Sequence, residues 1–102
     1  MSLIYNVTIK VEHSIVDEWL CWMQQEHIPE VLATGCFTHA RTLRLLEADE
    51  TDGLTFAVQY EAPTDEKYNQ YVSNFAPALR EKSFEKWGNR FVAFRSVLQI
   101  VN

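Results

Sequence analysis

No stretch of this 102-residue chain carries the roughly 18 to 20 consecutive apolar residues that a membrane-crossing helix needs. Positive charge is also scarce. Nine Lys and Arg stand against fourteen Asp and Glu, for a net charge of −5, and a chain of that sign repels phosphate backbones unless its cations cluster on one surface. Neither a membrane nor nucleic acid is an expected partner. There are two cysteines and no charged segment leading into an apolar one, which points to a reducing cytoplasm rather than to a disulfide-stapled secreted domain. Cys21 should lie on the polar side of a helix and Cys36 at a strand start, which argues against a bridge between them. The three glycines build no phosphate-cradling loop, and no glycine-flanked serine follows a strand as at a hydrolase elbow.

Internal repeats, low-complexity segments and linkers are absent too, so residues 1–102 read as one domain. Met1-Ser2-Leu3 looks like a vector-derived remnant ahead of a native start near Ile4. With 47% hydrophobic and 13% aromatic residues, the composition belongs to a folded globular protein. A domain of this size buries only about two-thirds of its unfolded-chain surface, so a partner could add usefully to its core.

From Leu3 to Glu12 apolar and polar residues alternate, with Tyr5, Val7, Ile9 and Val11 on one side, as in a strand with one face in the core. Ser14, three residues before Asp17, is placed to cap a helix. At about 100° per residue, Ile15, Val16, Trp19, Leu20, Trp22 and Met23 form one apolar sector, and Glu26 and His27 fall inside it. Trp22 is the least central of the set and could meet a partner. Pro29 disfavours a helical Ile28, so the helix should bend or restart there, with a short turn ending near Gly35. Cys36–Glu47 and Gly53–Glu61 read as two strands of a hairpin joined by the acidic loop Ala48–Asp52. Thr64 caps a second helical region, which Pro77 interrupts and Gly88 closes, and Arg90–Val101 is a last strand.

The order strand, helix, strand, strand, helix, strand predicts an α+β fold, the ferredoxin-like βαββαβ plait, with an antiparallel sheet and both helical regions on one face. The last strand lies at an edge in that plait. Both of its faces are largely apolar, which an exposed edge strand tolerates poorly. A homodimer in which two sheets close across a twofold axis, a dimeric α/β barrel, would cover it.

The segments IYNVTIKV, EHIPEVLATGCF, LTFAVQY and NRFVAF resemble a family of small uncharacterised bacterial proteins classed as a domain of unknown function, over nearly the whole chain. That family looks like part of the dimeric α/β-barrel group, which includes antibiotic-biosynthesis monooxygenases, muconolactone isomerases and haem-degrading enzymes. The resemblance implies a ligand cavity between sheet and helices without implying one reaction. Haem-degrading relatives carry an iron-ligating histidine on the second helical region, and residues 65–87 here contain none, so no cofactor is expected.

Among the candidate site residues, His27 can act as a general acid or base, since a partly buried imidazole near a carboxylate titrates close to neutrality. Its structural alternative is a hydrogen bond to a carbonyl freed by Pro29. Glu26, adjacent in sequence, need not meet His27 and can instead bond free N–H groups of the Pro29 turn. Trp19, Trp22, Trp87, Tyr60, Tyr68, Tyr71 and Phe75 can line an aromatic pocket or form ordinary core. Arg41, Arg44 and Arg95 can hold a ligand carboxylate, or pair with Glu12, Glu47 or Glu61 on neighbouring strands. His13, His27 and His39 sit on different elements and do not make a metal site. GLTFAVQY superficially resembles the aromatic motif of RNA-recognition modules, but Phe56 and Tyr60 share a face with Leu54 and Val58, so no exposed stacking platform is expected.

Taken together, these residues suggest a cytoplasmic bacterial homodimer with a small-molecule cavity bordered by Trp19, Met23, His27 and Tyr60. Trp22, Glu26, Arg41 and Arg95 are further ligand-binding candidates. As an enzyme it would perform a cofactor-free oxygenation or isomerisation of a small aromatic or enolisable compound. The alternative is a non-catalytic binding or assembly protein that acts through its dimer surface.

Overall fold

The computed structural model describes residues 2–102. Met1, part of the proposed vector remnant, lies outside the described residues, while Leu3 already belongs to a strand and pairs with Ala62 and Gln99. The elements run β1 (Leu3–Glu12), a 3-10 turn (His13–Ile15), α1 (Val16–Trp22), a π-helical turn (Met23–His27), α2 (Ile28–Ala33), β2 (His39–Arg44), β3 (Gly53–Ala62), α3 (Asp65–Asn74), α4 (Ala76–Trp87) and β4 (Phe91–Gln99). The sheet order is β2-β3-β1-β4, antiparallel throughout. This is the ferredoxin-like plait that the alternation of elements predicts.

Period-two patterning places the core. Tyr5, Val7, Ile9 and Val11 of β1 are buried, and their register partners Tyr60, Val58, Phe56 and Leu54 on β3 extend the same apolar face. Trp19 from α1 closes over it, its indole 5.4 Å from the Phe56 ring. At the opposite end Tyr5, Phe37, Tyr60 and Tyr71 form one aromatic cluster with centroid separations of 4.8–6.0 Å. The helical region after β3 follows its signals. Thr64 accepts a hydrogen bond from the Lys67 N–H, the helix breaks at Phe75 just before Pro77, and Gly88 ends it with φ of 62°. Gly53 has a different reason to be glycine: a Cβ there would run into the backbone of Val11 on β1.

Several expectations need correction. Ser14 makes no cap; the 3-10 turn delivers the chain into α1 without a side-chain bond at either N-cap. The bend or restart expected at Pro29 is present as a π turn, but it leads into α2 and not into a short turn ending near Gly35. The Ile28 N–H reaches back five residues to the Met23 carbonyl, and the helix continues through Pro29 to Ala33. The widened turn sits where an α-helix would need the N–H that proline lacks and where its ring would strike the carbonyl four residues back. β2 is shorter than expected: Cys36 and Phe37 are buried in the loop before it, and Leu45 and Leu46 are exposed beyond it. Trp22 is buried within its own subunit, edge-on to Trp87 at 5.8 Å.

The outer face of the sheet has a different character. Asn6, almost fully buried, donates to Thr8 and Ser96 and accepts from Gln59, whose side-chain oxygen in turn accepts from Arg41. Since Asn6 is register partner to both Ser96 and Gln59, and Gln59 to Arg41, a row of polar side chains crosses all four strands. Beside it Val92, Phe94 and Leu98 of β4 are exposed, Phe94 by 69%.

Candidate functional site

A narrow cleft with a cavity volume of about 60 Å³ lies between the inner sheet face and the helices. Its floor is Tyr5, Val7 and Ile9 of β1 with Val58 and Tyr60 of β3. Trp19 and Trp22 of α1, with Met23 and His27 of the π turn, form one wall, and Leu79, Arg80 and Ser83 of α4 form the other. Phe91, Ala93 and Arg95 of β4 close the side next to β1.

The π turn sets the wall. Because that turn closes over five residues rather than four, the phase of Glu26 and His27 departs from 100° per residue. His27 stays against the cleft, its ring stacked on Trp22 with centroids 4.8 Å apart. Glu26 is carried out to the surface, where its carboxylate lies 3.7 Å from Lys82. Lys82 also donates to Glu30 at 2.6 Å, so one α4 ammonium ties down both the π turn and α2. That hydrogen bond from Lys82 to Glu30 raises the lysine pKa.

His27 Nδ1 is buried without a hydrogen-bond partner. The bond to a carbonyl freed by Pro29 is therefore not made through that nitrogen. Burial pushes the His27 pKa down from 6.5 to about 4, with Lys82 and Arg95 adding to the effect and Glu30 and Glu26 opposing it. The imidazole is therefore neutral at physiological pH and, contrary to the expected titration close to neutrality, a weaker base than a solvated histidine, because burial disfavours its charged form. The Tyr60 phenol is held well above its ordinary pKa by burial first and by the neighbouring Tyr71 and Tyr5 second, so it remains protonated.

Trp19, Trp22, Met23, His27, Tyr60 and Arg95 thus line one space, and Glu26 and Arg41 do not. Glu26 borders a separate open groove with Cys21, Trp22 and Trp87. Arg41 is on the outer sheet face, bonded to Gln59 at 3.1 Å. The expected arginine ion pairs are not formed: Arg44 bonds Glu50 at 2.8 Å, and Arg95 donates to the Tyr5 hydroxyl at 3.2 Å. His13 is bonded to the Glu50 carbonyl, and His39 lies 3.6 Å from Glu61, each far in the chain from His27. Sequence reasoning missed Tyr5, Arg80 and Ser83 as lining residues. Tyr5 reads as one more core position in an alternating strand, and Arg80 as a solvated residue on an interrupted helix.

A family model described as a domain of unknown function (DUF4286) matches residues 2–101. No curated protein matches. Among solved structures, a dimeric ferredoxin-like protein from an uncultured marine organism is similar with a TM-score of 0.73 at 8% identity, covering 99% of this chain and 97% of its own. SnoaB, a cofactor-independent oxygenase from Streptomyces nogalater, follows with a TM-score of 0.67 at 7% identity, covering 98% and 94%. A DABB family protein with a ferredoxin-like fold from Mesorhizobium loti gives 0.65 at 14% identity, covering 100% of both chains. At such identities the likeness is one of fold. No helix among the described residues is long and apolar enough to cross a membrane.

Proposed function

This chain belongs to the DUF4286 family, a domain of unknown function, and we propose that it is a homodimer that binds a small aromatic or enolisable molecule in the cleft, with His27 moving a proton in a cofactor-free oxygenation or isomerisation. The observation that carries this reading is the unpartnered, buried His27 Nδ1 on an imidazole that lines the cleft and is kept neutral by burial. A buried polar atom without a partner is costly in a folded protein, and a polar group of a ligand in the cleft would supply the missing partner. Trp22, stacked on the imidazole, fixes its plane. A proton passed from a carbon acid to His27 leaves an enolate. Reprotonation at another carbon gives the isomer, and electron transfer to dioxygen opens the oxygenation route.

The homodimer reading is supported by the apolar row Val92, Phe94 and Leu98 on an edge strand and by likeness to a protein described as dimeric. Light scattering at micromolar concentration should give the mass of two chains; a mass of one chain overturns it. The proton-transfer role is tested with 2-tetralone in D2O, following α-proton exchange by NMR. The parent protein should accelerate exchange, and His27→Gln should lower that rate by about 100-fold, the usual contribution of a positioned base. Equal rates in the two proteins would remove His27 from the chemistry. A non-catalytic assembly role draws support from the aromatic end of the core, which Tyr5, Phe37, Tyr60 and Tyr71 fill. It predicts a stable dimer with no exchange above the buffer rate.

A further inference from the structure

We propose that Arg80, Arg95 and the Tyr5 hydroxyl form an anion subsite in the cleft, and that the ligand is an aromatic carboxylate with its carboxylate on the two guanidinium groups and its ring toward Trp22 and His27. The inference rests on the small-molecule cleft and is independent of any catalytic role for His27. Arg80 Nη2 and Arg95 Nε donate to the same phenolic oxygen, at 3.3 and 3.2 Å. They come from different elements, α4 and β4, and both border the cleft. Two cations are thus drawn to one neutral oxygen. Neither has a carboxylate partner among the described residues, although the chain has fourteen acidic side chains and the exposed Lys82 holds two of them.

Like charges converging without a counter-charge repel one another, and an arriving anion removes that penalty while gaining charge-assisted hydrogen bonds. The Tyr5 oxygen accepts from both arginines, and its own proton makes no hydrogen bond among the described residues. A carboxylate can take that proton as a third donor while each guanidinium presents its planar fork. The reach of the field agrees: Arg80 and Arg95 both act on Tyr71, and Arg95 acts on His27. Charge recognition and the imidazole therefore belong to one cleft, whose α1 wall carries Trp19 and Trp22.

The test is a tryptophan-fluorescence titration with 2-naphthoate and its neutral isostere 2-naphthamide at fixed pH and low salt. The parent should bind naphthoate about 10-fold or more tightly than naphthamide, in keeping with hydrogen bonds to charged groups, and the advantage should shrink with added salt. Arg80→Gln and Arg95→Gln, both at exposed positions, should each remove most of that advantage by weakening naphthoate binding more than naphthamide binding. Equal affinities for the two probes in the parent would overturn the subsite while leaving the cleft reading intact. Preference for naphthoate that survives in both arginine variants would also overturn it. Binding of neither probe at millimolar concentration would overturn the cleft reading and the subsite with it.

Discussion

The two faces of the sheet are built from the same strands by opposite means. On the inner face Tyr5, Val7, Ile9, Val58 and Tyr60 are buried by helices of their own chain, so that face owes its cohesion to packing. On the outer face no helix among the described residues intervenes. Its central polar groups satisfy one another sideways in the row Ser96, Asn6, Gln59 and Arg41, while the β4 border, and Leu43 on β2, are apolar and open. A covering layer over the outer row would leave few polar groups stranded, since their hydrogen bonds already lie within the sheet. The inner face can afford no such neutrality: wherever its packing stops, as at the cleft, a polar atom such as His27 Nδ1 is left without a partner.

The contrast can be broken most forcefully at Trp19, which is 2% exposed and packed on Phe56. Trp19→Ala should destabilise the protein by about 3 to 5 kcal/mol in urea unfolding, and a loss under 1 kcal/mol would mean that the inner face is not the main source of stability. Next comes acid. The folded His27 pKa of about 4 lies below its ordinary 6.5, so the unfolded chain takes up the proton first as pH falls. Stability should therefore be full above pH 6.5 and decline by roughly 2 to 3 kcal/mol on the way to pH 4. His27→Phe should flatten that decline; an unchanged pH profile in the variant would assign it to other groups.

The outer face should yield less. Asn6→Ala removes the centre of the polar row and should cost about 1 kcal/mol, with Gln59 and Ser96 still able to reach water. A cost above 3 kcal/mol would place the row on a par with the core. Smallest of all, Phe94→Ser should change the unfolding free energy of a highly diluted subunit by less than about 0.5 kcal/mol. At micromolar concentration the same change should halve the mass in sedimentation, and an unaltered mass would show that two copies do not meet on β4.

The sheet was legible because period-two alternation survives into three dimensions: Tyr5, Val7, Ile9 and Val11 share the face on which their spacing puts them. Thr64 and Gly88 were legible because caps act within a few residues of their own position. The first helix was read correctly only as far as Met23. Beyond it a fixed angular step misses a turn that takes one residue more and places Glu26 inside, and the bend or restart expected at Pro29 leads into α2 instead of a short turn. No local pattern distinguishes a π turn from the kink that a proline would otherwise cause. Arg80 escaped for another reason. Its interest comes from meeting Arg95 at Tyr5, fifteen residues away along the chain in one case and seventy-five in the other, and spacing along a single element carries no record of such a meeting.

The extra residue in the π turn has an implication for how this chain tolerates change. Two helical segments are joined through a widened loop of backbone: α1 keeps its hold on the sheet through Trp19, while His27 is the last residue of the widened turn itself. Loss of one residue from the exposed pair Gln24 and Gln25 would mesh the two segments into a single regular coil if Pro29 were also replaced. The imidazole, then four residues after Trp22 instead of five, would keep nearly the same direction, because the widened turn already absorbs the extra residue. The stretch can therefore carry one residue more or one fewer and still present the ring to the cleft.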